Sequence, residues 1–529
     1  MNKMNNIVYF QSKTNIQTKL YLFLFILSSF YRSEGLTIPK TNLSARYART
    51  LANSLHNLQH KKNPAFTKRT EMSSSTDSSS AAKSSDHKFK IRTITAFVKI
   101  HPSDFTTTFK HVGEKNQNET SIRKDVIDMK IEACQHLVQN LQKKFEERNY
   151  EVQTVRLATN PFAEYLLTTE NSTDTLQCQD ESVLSKVKTR LSRLDSILAA
   201  NNFQFCSLGP SFHIDHTQHI CPLIVKASPR FSCSANVASG DIDAATAAST
   251  CILEISKLGN ECSESHVQGG LGNFRFCSVS SSRDFIPFFP GARCESLLRN
   301  DDNLLDNDNI GIALGLENGE LAGDLLSKCN SIANIETTFR EGMIHNLEPL
   351  QDICESLEQN TSVSHFSMKY LGIDNSLNPS LSRTGSVAKA IESLKEVQPN
   401  FGKQGTLAAA AAITTTLQSL PLKLTGYCGL MLPVCEDQRL AELGSQNELK
   451  ISQLLCISSV CGVGVDTVPL SGDVAREELL SLILDVAALA GRWNKSLSCR
   501  VFPVPGLKLG EETSFDSPHL CNSQVFDMQ

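Results

Sequence analysis

The sequence is poor in features that mark several common protein classes. One tryptophan and 7% aromatic residues offer few stacking surfaces for bases, and a formal charge of −5 provides no basic face for nucleic acid. No continuous apolar run approaches the roughly 20 residues that span a bilayer. The balance of 40% hydrophobic and 20% charged residues excludes collagen, coiled coil and a wholly disordered chain. We therefore expect a globular protein without a nucleic-acid partner and without a stable membrane span in the mature chain.

Familiar catalytic and metal-binding motifs are also missing. The chain has no Gly-x-Ser-x-Gly elbow and no Gly-x-Gly-x-x-Gly between a strand and a helix, which argues against serine hydrolases and dinucleotide oxidoreductases. Residues His213 to Cys221 include zinc-type ligands, but their spacing matches no closed zinc site. Asp306 and Asp308 begin a pattern close to a calcium loop, yet Ile310 stands where an oxygen ligand is required. The sequence predicts no metal and no cofactor.

The first 88 residues are typical of a targeting region. A basic start, the apolar run from Leu20 to Leu27 and the small residues Ser33 and Gly35 predict a signal peptide over residues 1–35. Residues 36–88 are rich in serine and basic residues, which indicates a transit-like or disordered segment. This two-part leader resembles that of algae with secondary plastids. We expect targeting to an organelle such as a plastid, with secretion or an uncleaved membrane anchor as alternatives.

Cysteine usage bears on the compartment. The chain has 17 cysteines, an odd number, and several lie within apolar runs. Cys206, Cys277 and Cys456 are flanked by bulky apolar residues, so we expect them to be buried, inert thiols. Disulfide frameworks belong mostly to small secreted domains, so the pattern favours a reducing compartment.

Extended apolar segments alternate with helical patterns along residues 89–529, which we expect to form a single domain. Strands separated by helices pair in parallel through crossover connections. The sequence therefore predicts an α/β fold built on one large sheet or barrel. Its expected strands begin at Lys90, Tyr150, Asn202, Asn273, Asn309, Ser364, Leu424, Cys461 and Ser496. Its expected helices are Ser121–Arg148, Asp241–Leu258, Leu325–Leu357, Ser386–Leu394, Thr406–Leu417, Asp437–Leu455 and Asp473–Leu489.

The clearest candidate for chemistry begins at Cys461. Gly462 and Gly464 follow it, and two glycines let a backbone turn sharply or approach a ligand. Asp466 lies in a run otherwise too apolar to accept an unpaired charge. The pattern indicates a functional thiol with an acidic partner, and the alternative is a buried structural cysteine.

A second candidate lies at the start of an alanine-rich helix. Gly405 and Thr406 begin that helix, where free backbone amides attract anions. No Walker sequence is present. The alternative is a plain glycine turn with Thr406 as the cap.

Several segments, taken together, resemble one family. The two most specific segments extend from Gly429 to Val434 and from Cys461 to Asp473. The others are Ile91–Thr95, Val152–Arg156, Ser234–Val237, Asp374–Pro379, Ser386–Ala388, Gly405–Thr406 and Glu436–Asp437. They resemble domain-of-unknown-function family 711, also called uncharacterised protein family 0210, over residues 89–529.

The resemblance implies a fold and a pocket, whereas the family's reaction is not established. The family is similar in fold to pyruvate formate-lyase and other glycyl radical enzymes, so we expect one ten-stranded α/β barrel with its site inside. The segment around Gly426 lacks the arginine of a radical-glycine motif. Bacterial members carry histidines where this chain has Gln404 and, after Pro290, Arg293 and Cys294. A reaction that depends on either histidine is put in question here.

These observations lead to one main functional expectation and one alternative. We expect an enzyme acting on a small anionic metabolite in an interior pocket through the Cys461 thiol. The alternative is a non-catalytic small-molecule sensor on an enzyme-derived fold, and a homo-oligomer stays open. The expected catalytic residues are Cys461, Asp466 and Asp374, and the expected ligand-binding residues are Asn236, Gly405, Thr406, Gly462 and Gly464.

Overall fold

The computed structural model describes residues 87–110, 123–168, 180–298, 304–359, 362–363 and 365–528. The signal peptide predicted over residues 1–35 and almost all of segment 36–88 therefore lie outside the described residues. No helix within the described ranges is both long and apolar enough to cross a bilayer.

The fold is organised around one mixed sheet. Nine of its strands have five or more residues, and a two-residue strand lies at one edge. Strands such as Asn309–Glu317 and Leu497–Val504 are buried along nearly their whole length. Burial on both faces is typical of strands covered by helices on both sides. The strands are β1 (Lys90–Val98), β2 (Thr108–Lys110), β3 (Arg123–Asp125), β4 (Val155–Thr159), β5 (Phe205–Ser211), β6 (Phe231–Asn236), β7 (Phe276–Ser280), β8 (Asn309–Glu317), β9 (Ser362–Val363), β10 (Phe366–Asp374), β11 (Gly464–Ser471) and β12 (Leu497–Val504).

Two groups of strands run in opposite directions within this sheet. Its order is β11-β12-β7-β6-β5-β4-β1-β8-β10-β9, while β2 and β3 form a separate hairpin. Strands β7, β6, β5, β4 and β1 are mutually parallel, and antiparallel junctions lie at β1–β8, at β7–β12 and at the short edge strand, β10–β9. The predicted α/β class with one large sheet is confirmed. No ladder among the described strands joins β11 to the opposite edge.

The segment from Leu424 to Pro433 forms no ladder, although the sequence predicts a strand there. It makes only isolated parallel bridges to residues near β10 and β11. Gly426 and Cys428 adopt positive φ angles, and these interrupt the extended backbone that a ladder requires. The bridged pairs are Leu424 with Ile373, Leu430 with Leu377, and Pro433 with Asp466.

Helices connect and cover the strands. The long helix predicted from Leu325 to Leu357 is divided, because Asn330 adopts a left-handed conformation that ends the first helix. The pattern from Asp437 to Leu455 is likewise two helices. Strand β6 and the helix from Glu181 were not predicted. The longer helices are Val126–Glu146, Glu181–Ala200, Ile242–Glu261, Gly319–Cys329, Arg340–Glu358, Thr406–Gln418 and Arg476–Trp493. The shorter ones are Ala163–Leu166, Cys221–Ala227, Val387–Ile391, Gln438–Ser445 and Ile451–Ser458.

The connection between β7 and β8 packs against the sheet. Thr95 Oγ1 in β1 donates to the Pro287 carbonyl at 2.9 Å, and Ser207 Oγ in β5 donates to the Ala292 carbonyl at 2.7 Å. Phe288 fills the space left by Gly315 in β8. This loop therefore lies close to three strands and provides one wall of a cavity.

Every cysteine among the described residues is a free thiol. Cys206 and Cys277 are buried, as predicted. Cys456 is exposed, so its predicted burial is wrong. The cause is its place on the short helix Ile451–Ser458, which buries only one face.

Candidate functional site

A cavity of about 270 Å³ opens beside the beginnings of β1, β4 and β5. Parts of β7, β11, β12 and the loop before β8 complete its walls. Thr154 and Arg156 both line it, as do Ser498 and Arg500, because side chains two positions apart on a strand face the same side. The cavity combines aromatic walls with charged groups that the strands hold in fixed positions.

Arg500, on β12, is the best-paired cation of the cavity. Its Nε and Nη2 donate to Asp466 at 2.5 and 3.0 Å, and Nη2 also donates to Glu436 Oε1 at 2.8 Å. Its Nη1 donates to the Phe274 carbonyl at 3.2 Å. Arg500 and Asp466 are each 7% exposed, so this is a buried ion pair with its hydrogen-bonding capacity largely used. The two carboxylates raise the pKa of Arg500 against the effect of burial.

Arg92, on β1, lies near two carboxylates, those of Glu317 and Glu436, but forms a hydrogen bond with only the first. Its Nη1 lies 2.8 Å from Glu317 Oε2 and 3.1 Å from Gln153 Oε1. Gln153 in turn donates to Glu317 Oε1 at 3.0 Å. The distance from Arg92 Nη2 to Glu436 Oε2 is 4.0 Å, which is too long for a hydrogen bond. Arg92 is therefore neutralised mainly from outside the cavity, by Glu317.

Arg156, on β4, has no carboxylate partner among the described residues. It is only 5% exposed, and its one side-chain hydrogen bond runs from Nε to Thr154 Oγ1 at 3.0 Å. Its guanidinium lies 4.7 Å from the ring centre of Phe289 and 5.2 Å from that of Phe205. Burial, with Arg92 and Arg500 nearby, lowers its pKa. The terminal nitrogens of Arg156 are thus available to a group inside the cavity.

Two ionisable groups on the cavity wall have displaced pKa values, that of Glu436 upward and that of His519 downward. Burial raises the pKa of Glu436 and Asp466 adds to this effect, while Arg500, Arg92 and Arg156 oppose it. Burial lowers the pKa of His519, and Arg92 and Arg156 lower it further. A carboxyl group that protonates more readily and a histidine that stays neutral are the kinds of groups that transfer protons at neutral pH.

Cys277 is the thiol on the cavity wall. It is 1% exposed, and burial raises its pKa well above the ordinary value. Its sulfur is therefore a neutral thiol and not a thiolate nucleophile.

Comparison with known proteins decides the family. The model of a family described as "Uncharacterised ACR (DUF711)" matches residues 84–517. The chain belongs to this family. Curated relatives named UPF0210 protein include one from Limosilactobacillus reuteri (strain DSM 20016), 32% identical, and one from Syntrophobacter fumaroxidans, 34% identical, each over 147 residues. Each match covers 27% of this chain and 32% of the relative, so it spans about a third of those proteins' length.

Among the residues expected from the DUF711 segments, Asp466 is the one that lines the charged cavity. Asp374 does not line the cavity; it is completely buried and accepts hydrogen bonds from Ser376 Oγ at 2.6 Å and from the Tyr427 and Cys428 amides at 2.9 and 3.1 Å. Burial raises its pKa, while these donors lower it. Asp374 thus fixes the backbone of the segment that carries Tyr427, a residue of the cavity wall.

Cys461, the thiol that the sequence predicts to be reactive, lies outside the charged cavity. Cys461 is fully buried, and its carbonyl accepts a hydrogen bond from Lys495 Nζ. Gly462 lies on a wider second pocket of about 710 Å³, with Tyr427 between the two spaces. A side chain at Gly464 would collide with the Ser498 carbonyl, so this glycine permits close strand packing. Cys461 lines neither space.

The remaining expected residues lie elsewhere. Asn236 ends β6 and lines neither pocket. Gly405 has a φ of 87°, and a side chain there would collide with the Glu396 carbonyl. Thr406 Oγ1 accepts from the Gly402 amide at 3.0 Å. Gly405 and Thr406 therefore close a turn, and the structure does not bring them together with Asp466.

Sequence reasoning missed Arg156, Arg500, Glu436 and His519. A signal for the two arginines was present, because each is a charge inside an otherwise apolar strand. The same argument had identified Asp466, and applying it to every strand would have found both. Glu436 and His519 lie outside the strands, and no local pattern distinguishes them.

Proposed function

We propose that this protein binds a small metabolite through an anionic group in the charged cavity, with Arg156 as the main anchor. The observation that carries the proposal is a buried guanidinium that the described residues leave without a carboxylate. Removing a charge from water costs several kcal/mol, and a paired counter-charge offsets that cost. A planar guanidinium matches a carboxylate or phosphate in a two-bond arrangement.

The cavity's size and walls support a metabolite in preference to a macromolecule. A cavity of about 150 Å³ holds benzene, so 270 Å³ accommodates a somewhat larger molecule. Phe205, Phe289 and Met431 provide apolar walls around the charged groups. Such a mixture of apolar walls and a few fixed polar groups is typical of small-molecule sites.

We further propose that the protein is an enzyme in which Glu436 and His519 transfer protons to and from the bound ligand. The raised pKa of Glu436 and the neutral imidazole that a lowered pKa gives His519 support these roles. The alternative is a sensor that binds the same ligand without turnover. Asp466, whose two oxygens are both bonded to Arg500, then has an electrostatic role, holding Arg500 in place.

We also propose that the sheet is closed into a barrel by the segment Leu424–Pro433. Its isolated bridges reach residues near β10 on one side and β11 on the other, and all are parallel. With this segment, the sheet would have ten strands of substantial length, the number that the family resemblance implies. Slow hydrogen exchange is expected for the Leu377 and Met431 amides, which bond between the residues after β10 and this segment at 2.8 and 2.9 Å, on one side of the proposed closure. Rapid exchange of both would contradict closure.

The binding proposal is tested with the full-length protein and its Arg156→Gln variant. We expect small carboxylates or phosphates found by native mass spectrometry to raise the melting temperature of the wild type only. Arg193→Gln is the matched control. Arg193 lies on a helix with its side chain exposed, and it pairs with Asp125 and Asp128. Equal stabilisation of wild type and Arg156→Gln would refute an anchor at Arg156.

Turnover separates the enzyme from the sensor. Incubation of the protein with its identified ligand, followed by mass spectrometry, should yield a product from the wild type. Glu436→Gln should lose the product while a carboxylate still binds at Arg156, since the change removes an ionisable group and retains the shape. An unchanged ligand in the wild type would favour the sensor.

The reactivity expected of Cys461 stays a prediction, and limited alkylation of the native protein tests it. Labelling of Cys461 that a ligand suppresses would support a functional thiol. Labelling of the exposed Cys456, with Cys461 protected until denaturation, would make Cys461 a packing residue.

A further inference from the structure

The charged cavity offers an acceptor as well as a donor. Glu436 Oε1 is bonded to Arg500, but Glu436 Oε2 has no hydrogen bond among the described residues and lies 4.0 Å from Arg92. Glu436 is a lining residue of the cavity. A cationic group of a ligand would therefore find an unused carboxylate oxygen there.

The hydrogen-bond donor, Arg156, and the acceptor, Glu436, are not bonded to each other. Arg156 and Glu436 do not form an ion pair with each other, yet each influences the pKa of the other. Both residues line the cavity, so a ligand inside it can contact each of them. A ligand with an anionic group at one end and a cationic group near it fits this arrangement.

The charge balance favours such a ligand over a purely anionic one. Arg92, Arg156 and Arg500 carry three positive charges, and Glu317, Glu436 and Asp466 carry three negative ones. A dicarboxylate would leave this buried group with uncompensated negative charge, which is costly in a region of low dielectric. A ligand with no net charge preserves the balance and still gives Arg156 and Glu436 a partner each.

We propose that the ligand is a zwitterion of the α-amino acid class with an apolar side chain. Its carboxylate binds Arg156, its ammonium binds Glu436 Oε2, and its side chain lies against Phe289 and Met431. This inference rests on the proposed function, because it requires the same anchor, and it adds the identity of the second polar group.

The test compares amino acids with analogues that lack one charged group. The probes are L-phenylalanine, hydrocinnamate and phenethylamine, and, as a smaller set, L-leucine, isocaproate and isoamylamine. By isothermal titration calorimetry we expect one amino acid to bind about tenfold or more tightly than its carboxylate analogue, as one charge-assisted hydrogen bond provides. The amines should bind more weakly than either, since they cannot use Arg156.

Variants assign the preference to particular residues. Glu436→Gln should abolish the preference for the amino acid while leaving the affinity for hydrocinnamate or isocaproate within a few-fold. Glu317→Gln is the matched control, because Glu317 neutralises Arg92 but does not line the cavity, and it should keep the preference. The wild-type comparison alone remains decisive if a variant does not fold.

The outcomes distinguish the two proposals. Carboxylates that bind as tightly as the amino acids, and that Arg156→Gln weakens, would overturn the zwitterion and leave the anion site intact. Binding of all probes that is insensitive to Arg156→Gln would overturn the site itself. A preference that survives Glu436→Gln would place the ammonium elsewhere and refute the assignment.

Discussion

The two sides of the cavity use the same residue type in opposite ways. On the β12 side, Arg500 satisfies two buried carboxylates and a carbonyl. On the β4 side, Arg156 has one hydrogen bond to a threonine and lies over two aromatic rings. The first arrangement is complete within the protein, while the second leaves the terminal nitrogens of Arg156 without a partner among the described residues. Buried charge of equal sign is therefore paired at one position and unpaired at another, four strands away in the sheet order.

This difference has an energetic meaning. Removing one partner of a buried pair leaves an uncompensated charge, whereas removing an unpaired buried charge relieves a desolvation cost. Binding sites are often maintained at the expense of stability. The Arg500 side should thus respond to substitution through folding, and the Arg156 side through ligand affinity.

The largest effect is expected for Arg500→Met. The change leaves Asp466 and Glu436 without their cationic partner in a largely buried region, so the free energy of unfolding should fall by about 3–5 kcal/mol. Urea unfolding followed by circular dichroism measures it. Arg156→Met is the matched control and should leave the stability equal or higher. A similar loss in both variants would remove the distinction between the two sides.

Next comes Arg156→Lys, which keeps the charge but removes the planar fork. We expect affinity for the carboxylate-bearing ligand to fall about tenfold, since lysine binds as a single point charge. Calorimetry with the ligand identified on the wild type gives the value. An unchanged affinity would mean that only charge is recognised and that Arg156 makes no paired contact.

Much of the fold could be predicted because its signals are local. Largely apolar runs at Lys90 and Asn309 predicted β1 and β8 with their correct first residues, since strands buried on both faces are rich in apolar residues. The division of the helix after Cys329 was not predictable, because a left-handed asparagine leaves only a weak local signal. The isolated bridges of Leu424 and Leu430 join residues about 50 positions apart, and no local pattern encodes such pairing.

The site was predicted less well, and for a physical reason. Glycine-rich motifs such as the one after Cys461 signal close backbone packing as readily as ligand approach, and here Gly464 serves strand packing. Asp466 was found because a charge in an apolar strand demands a partner. That partner, Arg500, lies 34 residues away along the chain and on a different strand, so only the structure identifies it.

A smaller effect is expected from the aromatic rings beneath the two arginines. Phe289→Leu should weaken ligand binding by a few-fold, because a cation over an aromatic ring contributes about 0.5–2 kcal/mol to the placement of Arg156. Phe274→Leu removes the ring under Arg500 at 5.2 Å and should reduce stability without changing affinity. Calorimetry and urea unfolding of both variants give the comparison. Equal changes of affinity and of stability in the two variants would contradict the difference between the two sides of the cavity.

The smallest effect concerns the protonation of His519, which senses the Arg156 side. Burial, Arg92 and Arg156 lower its pKa below 6.5, so the unfolded state takes up the proton first. His519 therefore reduces stability as the pH falls below about 6.5, and the loss levels off once His519 is protonated in the folded protein as well.

An anion bound at Arg156 cancels part of the repulsion between Arg156 and protonated His519, so ligand binding should raise the pKa of His519. His216 is the control: burial and His213 lower its pKa to about 4, and it does not line the cavity, so the ligand should leave it unchanged. Histidine-selective NMR titration measures both. A ligand that shifts neither histidine while losing affinity in Arg156→Gln would mean that its charge does not reside beside Arg156.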